Sequence, residues 1–284
     1  MNDSDKLAEL KLAIENIKSI TNEAWIGSLD DRKIKELEFH NRDRDPEFVE
    51  TAATDSDTFE KFYGNKKFYR TVQRSTEYVD DWIKVNAKGK VFLDFACGNG
   101  EHAIKASESG AELALGLDIS DVSINNAEQE ATKRKLENIL FFQADCEDTK
   151  LPDDSVDVII CSGMLHHLDL SYVFPELRRI LKDKGKILAI EALDYNPFIK
   201  LYRLITPDMR TEWEKAHFLS FADLKFAERF FDVKNVKYWH VVSYAGAYLE
   251  KLLPFLNFMD SIMERIPLLR VMSWIFTFEL HSNK

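Results

Sequence analysis

The chain has 284 residues, 45% of them hydrophobic, and its 38 Lys and Arg against 49 Asp and Glu give a formal charge of −11. That length allows one large domain or two small ones with a sizeable core, and the acidic balance speaks against a broad phosphate-binding face, so nucleic acid is not an expected partner. Cys97, Cys146 and Cys161 form no C-x-x-C pair, so buried reduced thiols in a cytoplasmic protein are expected, with no metal-ligand set.

The opening MNDSDKLAEL has neither a basic n-region nor an apolar h-region, so no secretory signal is expected. An uncharged apolar run of about 18 residues, the sign of a membrane span, does not occur. Over residues 5–20, Leu7, Leu10, Ile14 and Ile17 recur at helical spacing and predict an amphipathic helix. HNRDRDPEFVETAATDSDT is charged, contains proline and has few large apolar residues, which predicts a loop or mobile cover over 41–57. FYGNKKFYRTVQRSTEYVDDWI then reads as one aromatic-rich helical segment.

At Gly89 the texture changes. VFLDFA, ELALGLDIS, ILFFQAD, SVDVIICSG and GKILAIEAL read as strands, and residues 101–109, 121–135 and 171–182 as helices between them. Near-continuous apolar strands separated by amphipathic helices require a parallel sheet covered on both faces. Residues 194–220, with two prolines and several aromatics, read as an insertion. A helix over 221–230 and a strand in VKNVKYWHVV follow, then an apolar amphipathic stretch over 245–272, and WIFTFELHS as an edge or hairpin strand. The expected architecture is therefore α/β: a Rossmann-like, seven-stranded, mostly parallel doubly wound sheet. An N-terminal helical or lid segment (1–88) precedes a single domain (89–284) with insertions after strands 5 and 6.

The turn after the first strand holds Gly98, Gly100 and Ala103 at G-x-G-x-x-G/A spacing, the pattern of a dinucleotide-binding turn. A pyrophosphate there would face the carboxylate of Asp94, four residues before Gly98, which argues for a cationic ligand instead. Asp118 ends the second strand, where an acid can accept both hydroxyls of a ribose, and Asp145 ends the third, where a carboxylate can accept from an adenine amine. S-adenosylmethionine joins ammonium, sulfonium, ribose and adenine without a phosphate. Each acid also has a simpler reading: Asp94 as a turn cap and Asp118 as the N-cap of the next helix.

FLDFACGNG, LGLDIS, QADCEDTKLPDDSVDVIICSGMLHHL and ELRRILKDKGKILAIEAL, in that order, resemble the class I S-adenosylmethionine-dependent methyltransferases over residues 89–193. The resemblance implies that Asp94, Ala96, Gly98, Asn99 and Gly100 hold the methionine end of the donor. By the same resemblance Asp118 and Ile119 would take the ribose, Asp145 and the Cys146 backbone the adenine, and Ser162 and Gly163 the wall near the sulfonium. Ala96 stands where the family usually has glycine, so a slightly different turn geometry is expected.

His166 and His167 follow the fourth strand, where either can take a proton from an acceptor or merely shape the pocket. From the flanks, His40, Tyr63, Tyr69 and His217 are candidates to face a substrate, with His40 a further possible base and Tyr69 a possible donor contact. The 245–272 stretch reads as a helix packed on the sheet or a dimer partner, or more sharply as an apolar entrance or peripheral membrane contact. The expected function is methyl transfer to an O, N or C atom of a small, partly apolar acceptor. An NAD-type oxidoreductase and a non-catalytic S-adenosylmethionine-binding regulator are the alternatives.

Overall fold

The computed structural model describes residues 3–284. Before the sheet come α1 (Asp3–Lys18), α2 (Asn22–Ser28), α3 (Asp31–Arg44), α4 (Pro46–Thr54), α5 (Ser56–Tyr63), α6 (Lys66–Tyr69) and α7 (Gln73–Ala87). The alternating region follows as β1 (Val91–Phe95), α8 (Glu101–Glu108), β2 (Leu113–Asp118), α9 (Asp121–Lys133), β3 (Ile139–Gln143), β4 (Val156–Ser162), α10 (Leu170–Ile180) and β5 (Leu181–Ala192). The remainder is α11 (Pro197–Ile205), α12 (Glu212–Ala216), α13 (Phe221–Ala227), β6 (Phe231–Trp239), α14 (Leu253–Met263), α15 (Pro267–Arg270) and β7 (Ile275–Ser282).

The strands form one seven-stranded sheet in the order β3-β2-β1-β4-β5-β7-β6. β1 to β5 run parallel, and β7 is antiparallel to both β5 and β6. All of β1 and β2 is buried, as a sheet covered on two faces demands. One face packs Leu10, Ile14 and Ile17 of α1 with Phe174 and Leu177 of α10 against Leu93, Leu115 and Phe278. The other packs Val79, Trp82 and Ile83 of α7 with α8 and α9 against Phe92, Ala114 and Ile160. The doubly wound, mostly parallel sheet matches the expectation from the sequence.

Three local expectations are corrected. Residues 41–57 are not a loop: α3 runs to Arg44, α4 follows at once, and α5 begins at Ser56. Asp45 accepts from Glu47 N with Pro46 in the first helical turn, and Asp55 accepts from Thr58 N, so residues that read as breakers are helix caps. The aromatic stretch 62–83 is divided among α5, α6 and α7 rather than forming one helix. β7 is no edge strand. It lies between β5 and β6, with Phe276, Thr277, Phe278 and Leu280 fully or almost fully buried, while the long connection 240–274 from β6 agrees with the insertion expected after strand 6.

That connection is held down by polar anchors. The fully buried Asp260 accepts from Val242 N at 2.8 Å and Ser243 N at 3.2 Å. Arg74 of α7 makes a two-pronged contact with Glu264 at 2.8 Å on each oxygen. Hydrogen bonds to charged groups are worth about 1.5–3 kcal/mol each, enough to fix α14 although Phe255, Phe258 and Ile262 face outward. Among the described residues, no helix is long and apolar enough to cross a membrane.

Candidate functional site

Parallel strands deliver their C-terminal ends to one edge of the sheet, where loops and helix N-termini converge. Here that edge carries the Ala96–Gly100 turn after β1, Asp118 at the end of β2, Asp145 after β3 and Ser162–Gly163 at β4. Gly98 and Gly100 both have left-handed backbones, with φ of 52° and 79°. A Cβ on Gly100 would come within 2.6 Å of the Phe141 ring, so glycine there is required for close packing as well as for the turn.

Ala96 is also left-handed, with φ of 58°. Alanine here holds a left-handed conformation that glycine takes more readily, at a cost of roughly 1–2 kcal/mol. Asp118 explains why the turn keeps its shape. Its Oδ2 accepts from Gly98 N at 2.8 Å and its Oδ1 from Ser120 N at 2.9 Å, tying the β1 turn to the end of β2. The helix-cap alternative for Asp118 is corrected, since Ser120 is the N-cap of α9. Asp94, 1% exposed, does act as a cap: its Oδ2 accepts from Ala103 N at 3.1 Å, and burial pushes its carboxyl up to about 6.

Ala96, Asp118, Ile119, Asp145, Cys146, Ser162 and Gly163 line one narrow cavity of about 70 Å³, as do His40 and His167. Asp94, Gly98, Asn99, Gly100 and His166 do not line it. Tyr69 is not brought to the cavity; it is 58% exposed, with its ring tilted against Trp274 at 6.4 Å between centroids. Tyr63 is buried and donates to Asp43 O, and His217 stacks on Trp213, both away from the cavity lining.

The far wall is α3, which sequence reasoning read only for His40. Lys33 Nζ donates to Asp145 Oδ2 at 2.6 Å and lies 3.0 Å from Glu147. Burial opposes the lysine's charge, but these two carboxylates outweigh it and raise its pKa. Arg32 grips both oxygens of Glu147 at 2.6 Å, donates to His167 O and lies over the Trp213 ring of α12 at 4.7 Å. Arg44 lies 4.0 Å from Asp118, and its guanidinium comes within 3.2 Å of where a Gly98 Cβ would be. Asn41 donates to Asp121 and accepts from Ser120, closing the row onto the start of α9.

Beyond Gly163 the two adjacent histidines diverge. His166 Nδ1 lies 2.7 Å from Glu191 Oε2, and the other oxygen of that buried carboxylate accepts from Met164 N and Leu165 N. This fixes the ring and turns Nε2 toward Glu214 of α12, 3.8 Å away, a carboxyl raised by its burial. His167 Nδ1 lies 3.0 Å from the buried Glu36 of α3, and His40 Nε2 lies 3.7 Å from the same carboxylate oxygen. Burial, aided by Arg44, holds His40 well below the usual imidazole pKa, so its ring is neutral. All three cysteine thiols are pushed well up by burial and are not poised as nucleophiles.

Comparison with known proteins agrees with this geometry. A family model described as a methyltransferase domain matches residues 86–237. The chain is 32% identical over 101 residues to 27-O-demethylrifamycin SV methyltransferase of Amycolatopsis mediterranei (strain S699), covering 35% of this chain and 37% of that protein. It is 29% identical over 141 residues to demethylmenaquinone methyltransferase of Geobacillus sp. (strain WCH70), covering 47% and 60%. The chain thus spans less than two thirds of these relatives' lengths. Among solved structures, magnesium protoporphyrin IX methyltransferase of Synechocystis PCC 6803 with bound S-adenosylhomocysteine superposes with a TM-score of 0.57 at 17% identity, over 88% of this chain and 100% of that one. With the family model covering more than half of its residues, this chain belongs to the methyltransferase-domain family, within the class I S-adenosylmethionine-dependent methyltransferases.

Proposed function

We propose that the protein transfers the methyl group of S-adenosylmethionine to an O, N or C atom of a small, partly apolar acceptor. The observation that carries this reading is the meeting of Asp118, Asp145 and the Ser162–Gly163 wall on one cavity at the strand ends. In it Asp118 accepts the ribose hydroxyls, Asp145 the adenine amine, and Ser162 and Gly163 flank the sulfonium. Arg44, against the glycine turn, suits the donor's carboxylate, and Asp94 behind the turn is the acid nearest its ammonium.

Transfer from a sulfonium forms the new bond to the acceptor atom as the S–CH₃ bond breaks and its electron pair returns to sulfur. The protein's main task is then to align nucleophile, carbon and sulfur. His166, fixed by Glu191, presents an oriented Nε2 to which an acceptor O–H or N–H can donate. The acceptor approaches under α3, α11 and α12, where Trp213 of α12 and Phe218 in the segment after it supply apolar cover. Ligand sites commonly measure roughly 300–1,000 Å³; at about 70 Å³ the cavity admits a donor only when the α3 side chains swing aside.

Calorimetry separates this reading from its competitors. S-adenosylhomocysteine binding without NADH binding is expected, and the reverse pattern would point to an oxidoreductase. Donor binding with no methyl transfer to any of a panel of apolar hydroxyl and amine compounds would favour a regulator.

A further inference from the structure

Outside the donor contacts, three ligand-type side chains from two separate segments meet at one point. Glu36 and His40 are one helical turn apart on α3, the i, i+4 spacing that places two side chains on one face. His167 reaches them from the loop after β4. Its Nδ1 is 3.0 Å from Glu36 Oε2, His40 Nε2 is 3.7 Å from the same oxygen, and the three ligand atoms lie within 4.8 Å of one another. Ligands bound at about 2.0–2.1 Å to zinc stand roughly 2.9–3.4 Å apart in octahedral or tetrahedral sets, so small side-chain shifts bring all three onto one ion.

We propose that Glu36, His40 and His167 form a binding site for a divalent transition-metal ion of the zinc or manganese kind, with its remaining positions open toward the cavity.

Two features favour an ion over a plain hydrogen-bond cluster. Glu36 is only 4% exposed, and the hydrogen bond it makes is to an imidazole rather than to an arginine or lysine, although three arginines and two lysines lie on the same helix. His40 Nε2, 3.7 Å from Glu36, is too far for a hydrogen bond, and a small shift of the side chain brings it to the spacing of two ligands on one ion. Imidazole and carboxylate together suit zinc, manganese and iron better than calcium or magnesium.

Such an ion would clamp α3 to the loop after β4. Its open positions would take an oxygen of the acceptor, so that the acceptor class becomes molecules offering a hydroxyl, phenolate or carboxylate oxygen beside the methylated atom. This last step rests on the methyl-transfer reading; the metal site itself does not.

Cobalt(II) is the probe, because its visible absorption reports coordination directly. Titration of metal-free wild-type protein is expected to show one tightly bound equivalent with new d–d bands. Glu36→Gln and His40→Ala should each lower that affinity at least 100-fold and remove the bands, with His167→Ala as the independent third variant. Circular dichroism on the same samples checks that each variant is folded, and calorimetry with S-adenosylhomocysteine on the wild type reports separately on the methyl-transfer reading. Absence of a stoichiometric cobalt equivalent in the wild type overturns the site. So does equal affinity in the folded variants, which would place the ion on surface carboxylates.

Discussion

Lys33 Nζ holds the Asp145 carboxylate at 2.6 Å, at the atom that an adenine amine would use. Donor and lysine therefore compete for one oxygen. Removing the lysine leaves Asp145 Oδ2 free, while Oδ1 still accepts from Glu147 N at 2.8 Å, and spares the donor the work of breaking the contact. Lys33→Ala should accordingly tighten S-adenosylhomocysteine binding by about 1 kcal/mol, roughly fivefold. Weaker binding by calorimetry would show that Lys33 moves onto the donor rather than out of its way.

Asp118 serves the turn, since both of its oxygens accept backbone N–H groups, and on the proposed function it serves the donor as well. Asp118→Asn removes the charge and one acceptor face. Donor affinity should fall by about 1.5–3 kcal/mol, with a lower melting temperature because the Gly98 contact weakens. A variant with lowered stability and unchanged affinity would confine Asp118 to shaping the turn.

Ala96 holds a glycine conformation with an alanine side chain. Ala96→Gly should raise stability by up to about 1 kcal/mol, the relief of left-handed strain being partly offset by the greater freedom of glycine in the unfolded chain. Denaturant midpoints measure it; a loss of stability would mean that packing of the Ala96 methyl outweighs the strain.

Asp94 is raised from 3.8 to about 6 by burial. A carboxyl raised in the folded state favours folding most below its unfolded value and loses that advantage as pH rises through about 6. At neutral pH its ionised form costs up to about 3 kcal/mol relative to acid conditions. Asp94→Asn keeps an acceptor for Ala103 N, so it should be more stable than the wild type at pH 7.5, with the difference shrinking by pH 4.5. A difference independent of pH would show that another group titrates.

The sheet was legible because strands buried on both faces appear as unbroken apolar runs, and the strand-end acids because they recur at fixed places in that rhythm. Spatial order is a different matter: nothing in WIFTFELHS says that β7 slides between β5 and β6. α4 was hidden because Asp45 and Pro46, read as loop residues, begin a helix equally well. Most consequential, DRKIKELEFHNRDR looks the same whether its charges meet water or a cleft. Arg32, Lys33, Arg44 and Glu36 were missed for that reason, as was Glu191, buried in an otherwise apolar strand. The available signal was electrostatic: a cleft rimmed by Asp118, Asp145 and Glu147 calls for nearby cations, and α3 is rich in them.

The place of β7 also sets an order of assembly. During synthesis β1 to β5 can pair as they emerge, each beside a strand already made. β6 cannot, because the slot next to β5 belongs to a strand that begins only at Ile275, after the intervening 240–274. Until then β5 exposes an unpaired edge and β6 has no partner, a non-local pairing that slows folding and invites association between nascent chains. A stall in translation anywhere within 240–274 would leave an open sheet, and chaperone demand should be greatest there.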